Sequence, residues 1–450
     1  MNMSLSTQPY KGARDFYPEN KRLQKYMFAK MREISERFGY EEYDAPILEP
    51  TELYLSKGNQ EIIDEQTYTF TDRGGRSVTI RTEMTPTVSR MVAGKRQELA
   101  YPVRWYSIPN LWRYERTQRG RLREFWQYNA DIFGVEGVEA EHEAILLADQ
   151  IMKGYGAKPE MYTIQLSSRK LIDDLFGAYL ELDQTQSDML IRLIDRMKKM
   201  PYESFVAQAD AILTPTQRDN GTLDSLLQLL KIQRLDDLPS SYTNKPTVLR
   251  LRQLMDMLDS SRISNVIFDI TLMRGFDYYT DMVFEVIDTN PENNRSMFGG
   301  GRYDGLVGLF GVEPVPTVGF AMGDVTLQNF LESHGLLPDL VTETDVYVVL
   351  AGTNTYEKAQ RVLADMRDMG LHVAVDSSGR KLEKQIKTAV KKGIQYAIFI
   401  GEAELASDQF RLRNLADGTE EAHSLQRILS IVKDHRHTSD PVLDPNDIDL

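Results

Sequence analysis

Two arginine-bearing stretches carry the chemistry that is easiest to read in this chain. One is Arg113-Tyr114-Glu115-Arg116-Thr117-Gln118-Arg119-Gly120-Arg121-Leu122-Arg123, the other Arg274-Gly275-Phe276-Asp277-Tyr278-Tyr279-Thr280. Both interrupt apolar, strand-like runs. Guanidinium groups on strands, rather than on solvated helices, suit phosphate or carboxylate recognition, because the planar fork donates paired hydrogen bonds. From Arg104 to Arg123 arginine stands at 104, 113, 116, 119, 121 and 123, against the single acid Glu115. The whole chain is acidic, with 53 Lys+Arg, 67 Asp+Glu and a net charge of −14. That total alone argues against a polyanionic partner; the local run overrides it.

Strand alternation adds a constraint. On the run from Phe125 to Phe133, residues Gln127, Asn129 and Asp131 share one face. On the neighbouring segment Arg113 and Glu115 share a face, with Trp112 and Tyr114 behind. If the two faces coincide, one sheet surface presents an arginine, two amides and two carboxylates to a charged, hydrogen-bonding small molecule. The plainer reading is an exposed face with ordinary ion pairs. The loop Arg116 to Gly120, followed by Arg121 and Arg123, favours a flexible closure over a polyphosphate. There is no Walker A loop and no dinucleotide fingerprint in a βαβ context. Gly299-Gly300-Gly301-Arg302, read as a tight turn, lacks the helix that would follow a phosphate loop, so a nucleotide site needs another architecture.

The elements that must hold these residues can be read from periodicity. Residues 19–38 form an amphipathic helix, with Leu23, Met27, Met31, Ile34 and Phe38 at three- and four-residue steps. Residues 78–133 read mostly as strands, at 78–81, 103–106, 111–115 and 125–133, with a turn at Gly120, which implies an antiparallel sheet. A helix follows from 139 to 154, then a strand at 162–166. From about 175 to 262 short helices and polar loops, punctuated by Pro201, Pro215, Pro239 and Pro246, read as a helical insertion. Strands resume at 267–272, 282–287 and 318–322. Beyond a linker at 335–344, strands at 345–350, 371–375 and 396–400 alternate with helices at 356–369 and 381–391, a small α/β domain. The expected division is 1–174 and 263–335 for a two-part catalytic domain, 175–262 for the insertion, 345–435 for the α/β domain, and a disordered tail over 438–450.

The 450 residues imply two or three domains, and 41% hydrophobic content is ample for their cores. No apolar run approaches a membrane span. Met1-Asn2-Met3-Ser4 shows no basic patch followed by an apolar stretch. The absence of cysteine excludes disulfides and thiolate chemistry and fits a cytoplasmic protein. The histidines at 142, 334, 372, 423, 435 and 437 show no metal-ligand spacing, so no protein-held metal is expected.

Taken together, these stretches resemble the class II aminoacyl-tRNA synthetases, and within them the histidyl-tRNA synthetase family, over nearly the whole length. Lys11-Gly12-Ala13-Arg14-Asp15-Phe16-Tyr17-Pro18 matches the opening signature, and the helix leading to Pro46 resembles motif 1, the dimer-forming element. Arg113-Tyr114-Glu115 and its loop resemble motif 2. Arg274 to Tyr279 resembles the histidine-specific signature, and Gly300-Gly301-Arg302-Tyr303-Asp304-Gly305-Leu306 matches a further stretch.

The resemblance implies an α+β fold: an antiparallel sheet flanked by helices, with a helical insertion and a C-terminal α/β anticodon-binding domain. It implies roles as well. Arg113 and Arg274 would act at the ATP α-phosphate. Glu115 would contact the adenine end, with Arg121 and Arg123 near the phosphates. Glu83 and Thr85 would hold the histidine α-amino group, Gln127 and Asp131 would hydrogen-bond the substrate, and Tyr278 and Tyr279 would surround the imidazole. Family members more often have Glu where Asp131 stands. Arg116 and Gln118 would reach the tRNA acceptor end. The implied activity is ATP- and Mg²⁺-dependent joining of L-histidine to tRNA(His) by a cytoplasmic homodimer.

One departure stands out. Motif 3 usually reads Gly-x-Ala-x-Gly, a variable residue, then Glu-Arg; here Gly319-Phe320-Ala321-Met322-Gly323-Asp324-Val325-Thr326 puts Thr326 at the arginine position. Arg302 and Arg123 are candidate substitutes, and Thr326 also reads as a helix cap. In the C-terminal domain Arg380, Lys384, Lys387 and Lys391 fall within about 60° of one another at 100° per residue, a basic stripe for RNA backbone or simply a solvated face. Two rivals therefore remain: a histidine-sensing regulatory subunit of ATP phosphoribosyltransferase, and a non-catalytic RNA-binding paralogue.

Overall fold

The computed structural model describes residues 5–55, 66–273, 279–293, 295–352 and 355–439, with side chains to 434. Arg274 and Tyr278 lie outside the described residues. Two compact units divide at Leu337 and Pro338.

In the first unit the strands are β1 (Glu41–Glu42), β2 (Leu48–Pro50), β3 (Tyr68–Thr71), β4 (Ser77–Ile80), β5 (Val103–Ser107), β6 (Asn110–Trp112), β7 (Glu124–Phe133), β8 (Tyr162–Ser168), β9 (Val266–Phe268), β10 (Met282–Asp288), β11 (Ser296–Arg302) and β12 (Thr317–Gly323). The main sheet runs β1-β5-β7-β12-β11-β10-β8-β9, with β6 also paired to β7, and β2-β4-β3 form a separate small sheet. Pairing is antiparallel except β1 with β5 and β8 with β9.

Alternation along β7 decides what each face does. Tyr128, Ala130 and Ile132 pack on the side of the helices Pro18–Arg37 and Glu139–Gly154, in one core with Met27, Met31, Ile34, Ile145, Ala148 and Met152. Gln127, Asn129 and Asp131 are left on the other face. The same core continues into the insertion through Leu190, Leu226 and Leu251, so no break in packing isolates those helices from the sheet. Gly39, with φ of +76°, ends the first helix in the left-handed conformation that glycine adopts without strain.

The second unit has a five-stranded sheet ordered β14-β13-β15-β16-β17, with β13 (Val346–Leu350), β14 (Val373–Val375) and β15 (Tyr396–Ile400) parallel. Val346, Val348 and Leu350 pack on one face and Tyr347 and Val349 on the other, so both faces are covered, as a parallel sheet requires. The strands β16 (Phe410–Asn414) and β17 (Glu420–His423) extend it antiparallel and were not foreseen from sequence.

Three expectations are corrected. Gly299–Gly301 lie inside β11, not in a turn. Arg113–Glu115 follow β6, which ends at Trp112. The final helix, Leu425–Ser439, runs past the point where the disordered tail was expected to begin.

Candidate active site

The glycines of β11 and β12 make the floor. In register across the sheet, Asp131 faces Gly319, which faces Gly301; one step on, Asn129 faces Ala321, which faces Gly299. The two central strands therefore present almost no side chain on this face between Asp131 and β10. A Cβ on Gly319 would overlap the Asp131 carboxylate and stand 2.9 Å from the Tyr303 hydroxyl, and a Cβ on Gly301 would stand 2.9 Å from the Tyr279 ring. Asp131, Tyr303 and Tyr279 therefore lean over the same two glycines.

Asp131 is 4% exposed and accepts a hydrogen bond from the Tyr303 hydroxyl. Burial pushes its carboxyl up to about 7, and the Tyr303 bond only partly opposes that. Tyr303 was missed as a site residue. It follows the end of β11, and no periodicity marks it; the pairing of β11 with β12 is what carries it to Asp131.

Arg113 reaches this face from the other side. Its guanidinium lies 5.3 Å from the centre of the Phe125 ring, and Phe125 alternates onto the same face as Gln127. Its Nε donates to the Thr82 carbonyl at 3.0 Å, which brings it beside Glu83. Burial raises the Glu83 carboxyl and the Arg113 charge pulls it back. Thr85 opens the helix Thr85–Lys95 just after Glu83. Gln127 is partly buried, and its carbonyl accepts from Asn129 Nδ2 at 2.9 Å. Phe125, a flat apolar surface under a guanidinium, is a second residue that was not singled out from sequence.

The arginine loop is a closed hairpin. Gln118 and Arg121 exchange backbone hydrogen bonds of 3.0 and 2.9 Å, and Gly120 turns the chain with φ of +78°. Arg121 pairs with Glu115 at 3.5 Å, while Arg116, Gln118 and Arg119 are exposed. Arg123 is held at the base of the loop. Its guanidinium lies 3.9 Å from the Tyr114 ring centre, Nη1 donates to the Tyr10 hydroxyl at 3.2 Å and Nε to the Glu115 carbonyl at 3.2 Å. The opening signature explains itself here: a Cβ on Gly12 would stand 2.7 Å from the Arg123 side chain, so glycine lets the two segments touch.

The motif 3 position is now defined. Thr326 is the third residue of the helix Asp324–Ser333 and donates to the carbonyls of Gly323 and Met297, both at 3.0 Å. It does not accept from the helix N-terminus, so the cap reading fails; it anchors the helix to the irregular start of β11. Asp324, just before it, pairs with Arg14 at 2.6 Å and accepts from the Trp126 amide at 3.0 Å, which ties the opening segment to β7. Arg302 is not a substitute cation. It points to the opposite face, is 2% exposed, and is bound to Glu141 by bonds of 2.6 and 2.7 Å as well as to the Val135 and Gly137 carbonyls.

The basic stripe of the second unit is also altered. The helix is Leu382–Lys391, so Arg380 precedes it. Arg380 donates to Asp376 at 2.5 Å and to Ser378 at 2.7 Å. Although burial pushes the Asp376 carboxyl up, bonds from Ser378, Arg380 and Tyr347 hold it down at about 2. Lys384, Lys387 and Lys391 remain exposed on the helix, with Lys387 paired to Glu383 at 2.7 Å. Among the described residues no cluster of three or more acidic or histidine side chains has metal-binding geometry, and no helix is long and apolar enough to cross a membrane.

Comparison with known proteins covers both units. A family profile described as Histidyl-tRNA synthetase matches residues 12–326, and one described as Anticodon binding domain matches residues 345–435. The chain is 38% identical to a histidine–tRNA ligase of Leptospira biflexa over 434 residues, covering 96% of this chain and 98% of the relative. It is 36% identical to that of Haloarcula marismortui over 414 residues, covering 91% and 93%. A crystal structure of histidyl-tRNA synthetase from Nostoc sp. PCC 7120 superposes with a TM-score of 0.80 at 23% identity, covering 96% of this chain and all of the other, which establishes the shared fold. Both units are thus matched along nearly the whole length, and the chain belongs to the histidyl-tRNA synthetase family.

Proposed function

We propose that the protein is an ATP-dependent histidine–tRNA ligase. One observation carries the reading: a carboxylate over a glycine floor and an arginine over an aromatic ring share one sheet face, an amino acid pocket beside a phosphate cation. The histidine carboxylate attacks the α-phosphorus of ATP, the bond to pyrophosphate breaks, and histidyl-adenylate forms. A terminal hydroxyl of the tRNA then attacks the acyl carbon and AMP leaves.

The first step brings two anions together, so its barrier falls when fixed positive charge cancels their repulsion. Arg113 supplies that charge at the α-phosphate, with Arg274 as its partner. Arg121 faces the phosphates from the loop, Glu115 takes the adenine end, and Arg123, clamped by Tyr114 and Tyr10, sets the loop's base. Glu83 and Thr85 take the α-amino group. Gln127, Asp131, Tyr278 and Tyr279 take the side chain, with Tyr303 fixing the Asp131 carboxylate. Mg²⁺ enters with ATP, held chiefly by phosphates and waters, and adds positive charge there.

The exposed apolar residues Ile47, Leu48, Leu55 and Phe70 around the small sheet support a homodimer. Arg116 and Gln118 meet the acceptor end, the helices between 175 and 262 clamp the acceptor stem, and Lys384, Lys387 and Lys391 meet RNA backbone; Arg380 supports their helix through Asp376. The anticodon-domain match disfavours the sensor alternative. The place of action is the cytoplasm. The test is histidine-dependent ATP–pyrophosphate exchange followed by charging of tRNA(His).

A further inference from the structure

We propose that Arg295 is a phosphate-binding residue for the outer phosphates of ATP, doing from β11 what the helix at Thr326 does not. The proposal rests on the ligase reading and extends it.

Arg295 stands immediately before β11 and is exposed. Its Nη1 donates to the Arg119 carbonyl, at the tip of the arginine loop, over 2.8 Å. The neighbouring loop residue, Gly120, is close to the helix that carries Thr326: a Cβ at Gly120 would lie 3.7 Å from both Thr326 Cγ2 and Asn329 Nδ2. Loop tip, helix start and Arg295 therefore meet in one place. The helix brings a methyl group and an amide there, and Arg295 brings the positive charge. One nitrogen of its guanidinium is used by the loop, and the others have no protein partner among the described residues.

The support under Arg295 is firm. Its own carbonyl accepts from the Asp288 amide at 3.1 Å. The buried Asp288 carboxylate takes Asn293 at 2.7 Å and His334 at 2.8 Å, and Asn290 donates to the Ser333 carbonyl at 3.1 Å. The hairpin is thereby tied to the end of the same helix. A guanidinium on such a base is preorganised, which is what makes a phosphate contact strong.

Its direction is right as well. Arg113 lies over Phe125 on β7, and β11 is two strands away across β12, about 10 Å at ordinary strand spacing. A nucleotide with its α-phosphate at Arg113 and its chain crossing the glycine floor presents its outer phosphates toward β11. Gly299, in register with Ala321 on the crossing path, presents no side chain to it.

The experiment compares the unsubstituted protein with Arg295→Ala and Arg295→Lys in ATP–pyrophosphate exchange, and measures inhibition by AMP, which lacks the outer phosphates. Loss of one charge-assisted contact predicts a KM for ATP raised about tenfold. The KM for histidine and inhibition by AMP stay unchanged, and lysine restores part of the loss. An unchanged KM for ATP overturns the proposal. So does a loss of AMP inhibition equal to the loss for ATP, which would mean that Arg295 only shapes the loop. No exchange by the unsubstituted protein would instead reject the ligase reading beneath it.

Discussion

The Tyr303 hydroxyl donates its hydrogen bond to the Asp131 carboxylate directly above Gly319. That one contact sets the position of a buried acid, which the proposed function gives to the histidine side chain. It predicts a split in kinetics. Asp131→Ala should raise the KM for histidine by at least about tenfold while changing the KM for ATP little, since a buried charged contact is lost on one side only. Equal losses for both substrates in pyrophosphate exchange would contradict the placement.

The elevated carboxyl gives a pH dependence with a definite sign. Asp131 is raised to about 7 in the folded protein, against about 4 when unfolded, so between those values the folded state binds the extra proton. Its contribution to stability is best below about pH 4 and is lost as pH rises through 7. Asp131→Asn should therefore stabilise the first unit, more at pH 8 than at pH 6, by at most about 4 kcal/mol. Ionised Asp131 is also the form that accepts an imidazole N–H, so histidine binding should weaken as pH falls below 7, and less so in the Asn variant. Denaturant unfolding and histidine titration at the two pH values check both signs.

A single methyl group should close the pocket. In Gly319→Ala the new Cβ overlaps the Asp131 carboxylate, and the neighbouring Tyr303 leaves it no room to move. Overpacking of this kind costs about 1–3 kcal/mol. Histidine-dependent exchange should fall at least about tenfold with the KM for ATP nearly unchanged. A fully active alanine variant would mean that substrate does not use this floor.

Arg302→Ala should act on stability. Removing it strands Glu141, itself 2% exposed, and breaking a buried pair in this way costs about 3–5 kcal/mol. The unfolding midpoint should drop sharply, with the KM for ATP of the surviving folded protein unaffected. A specific ATP defect without destabilisation would return Arg302 to the nucleotide site.

The exposed lysines of the second unit make a separable prediction. Lys384→Glu with Lys387→Glu should raise the KM for tRNA severalfold, increasingly so at low salt, and leave pyrophosphate exchange intact. An unchanged KM for tRNA would leave them as solvated surface.

What could be read in the sequence followed from local rules. The helix 139–154 and the strand 396–400 appear with the expected bounds, because amphipathic period and turn signals are local. The shared face of Gln127, Asn129 and Asp131 follows from strand period alone. What was not legible depended on partners far along the chain. Gly299–Gly301 suggested a turn, yet β10 and β12 pair with both edges of that segment and make it a strand. Arg302 looked like a free cation until alternation placed it on the helix face beside Glu141. Tyr303, Phe125 and Arg295 have no pattern of their own; sheet pairing and the docked loop give them their neighbours. Arg380 was counted into a helix that begins two residues later, because Asp376 and Ser378 hold its guanidinium in the preceding turn.

Adenylate formation is the most direct test of the central claim. Purified protein with histidine, Mg²⁺, ATP and labelled pyrophosphate should return label to ATP, only when histidine is present, and Arg113→Ala should reduce that exchange by about 10²–10³. Exchange that never occurs, or that proceeds equally without histidine, would contradict the account.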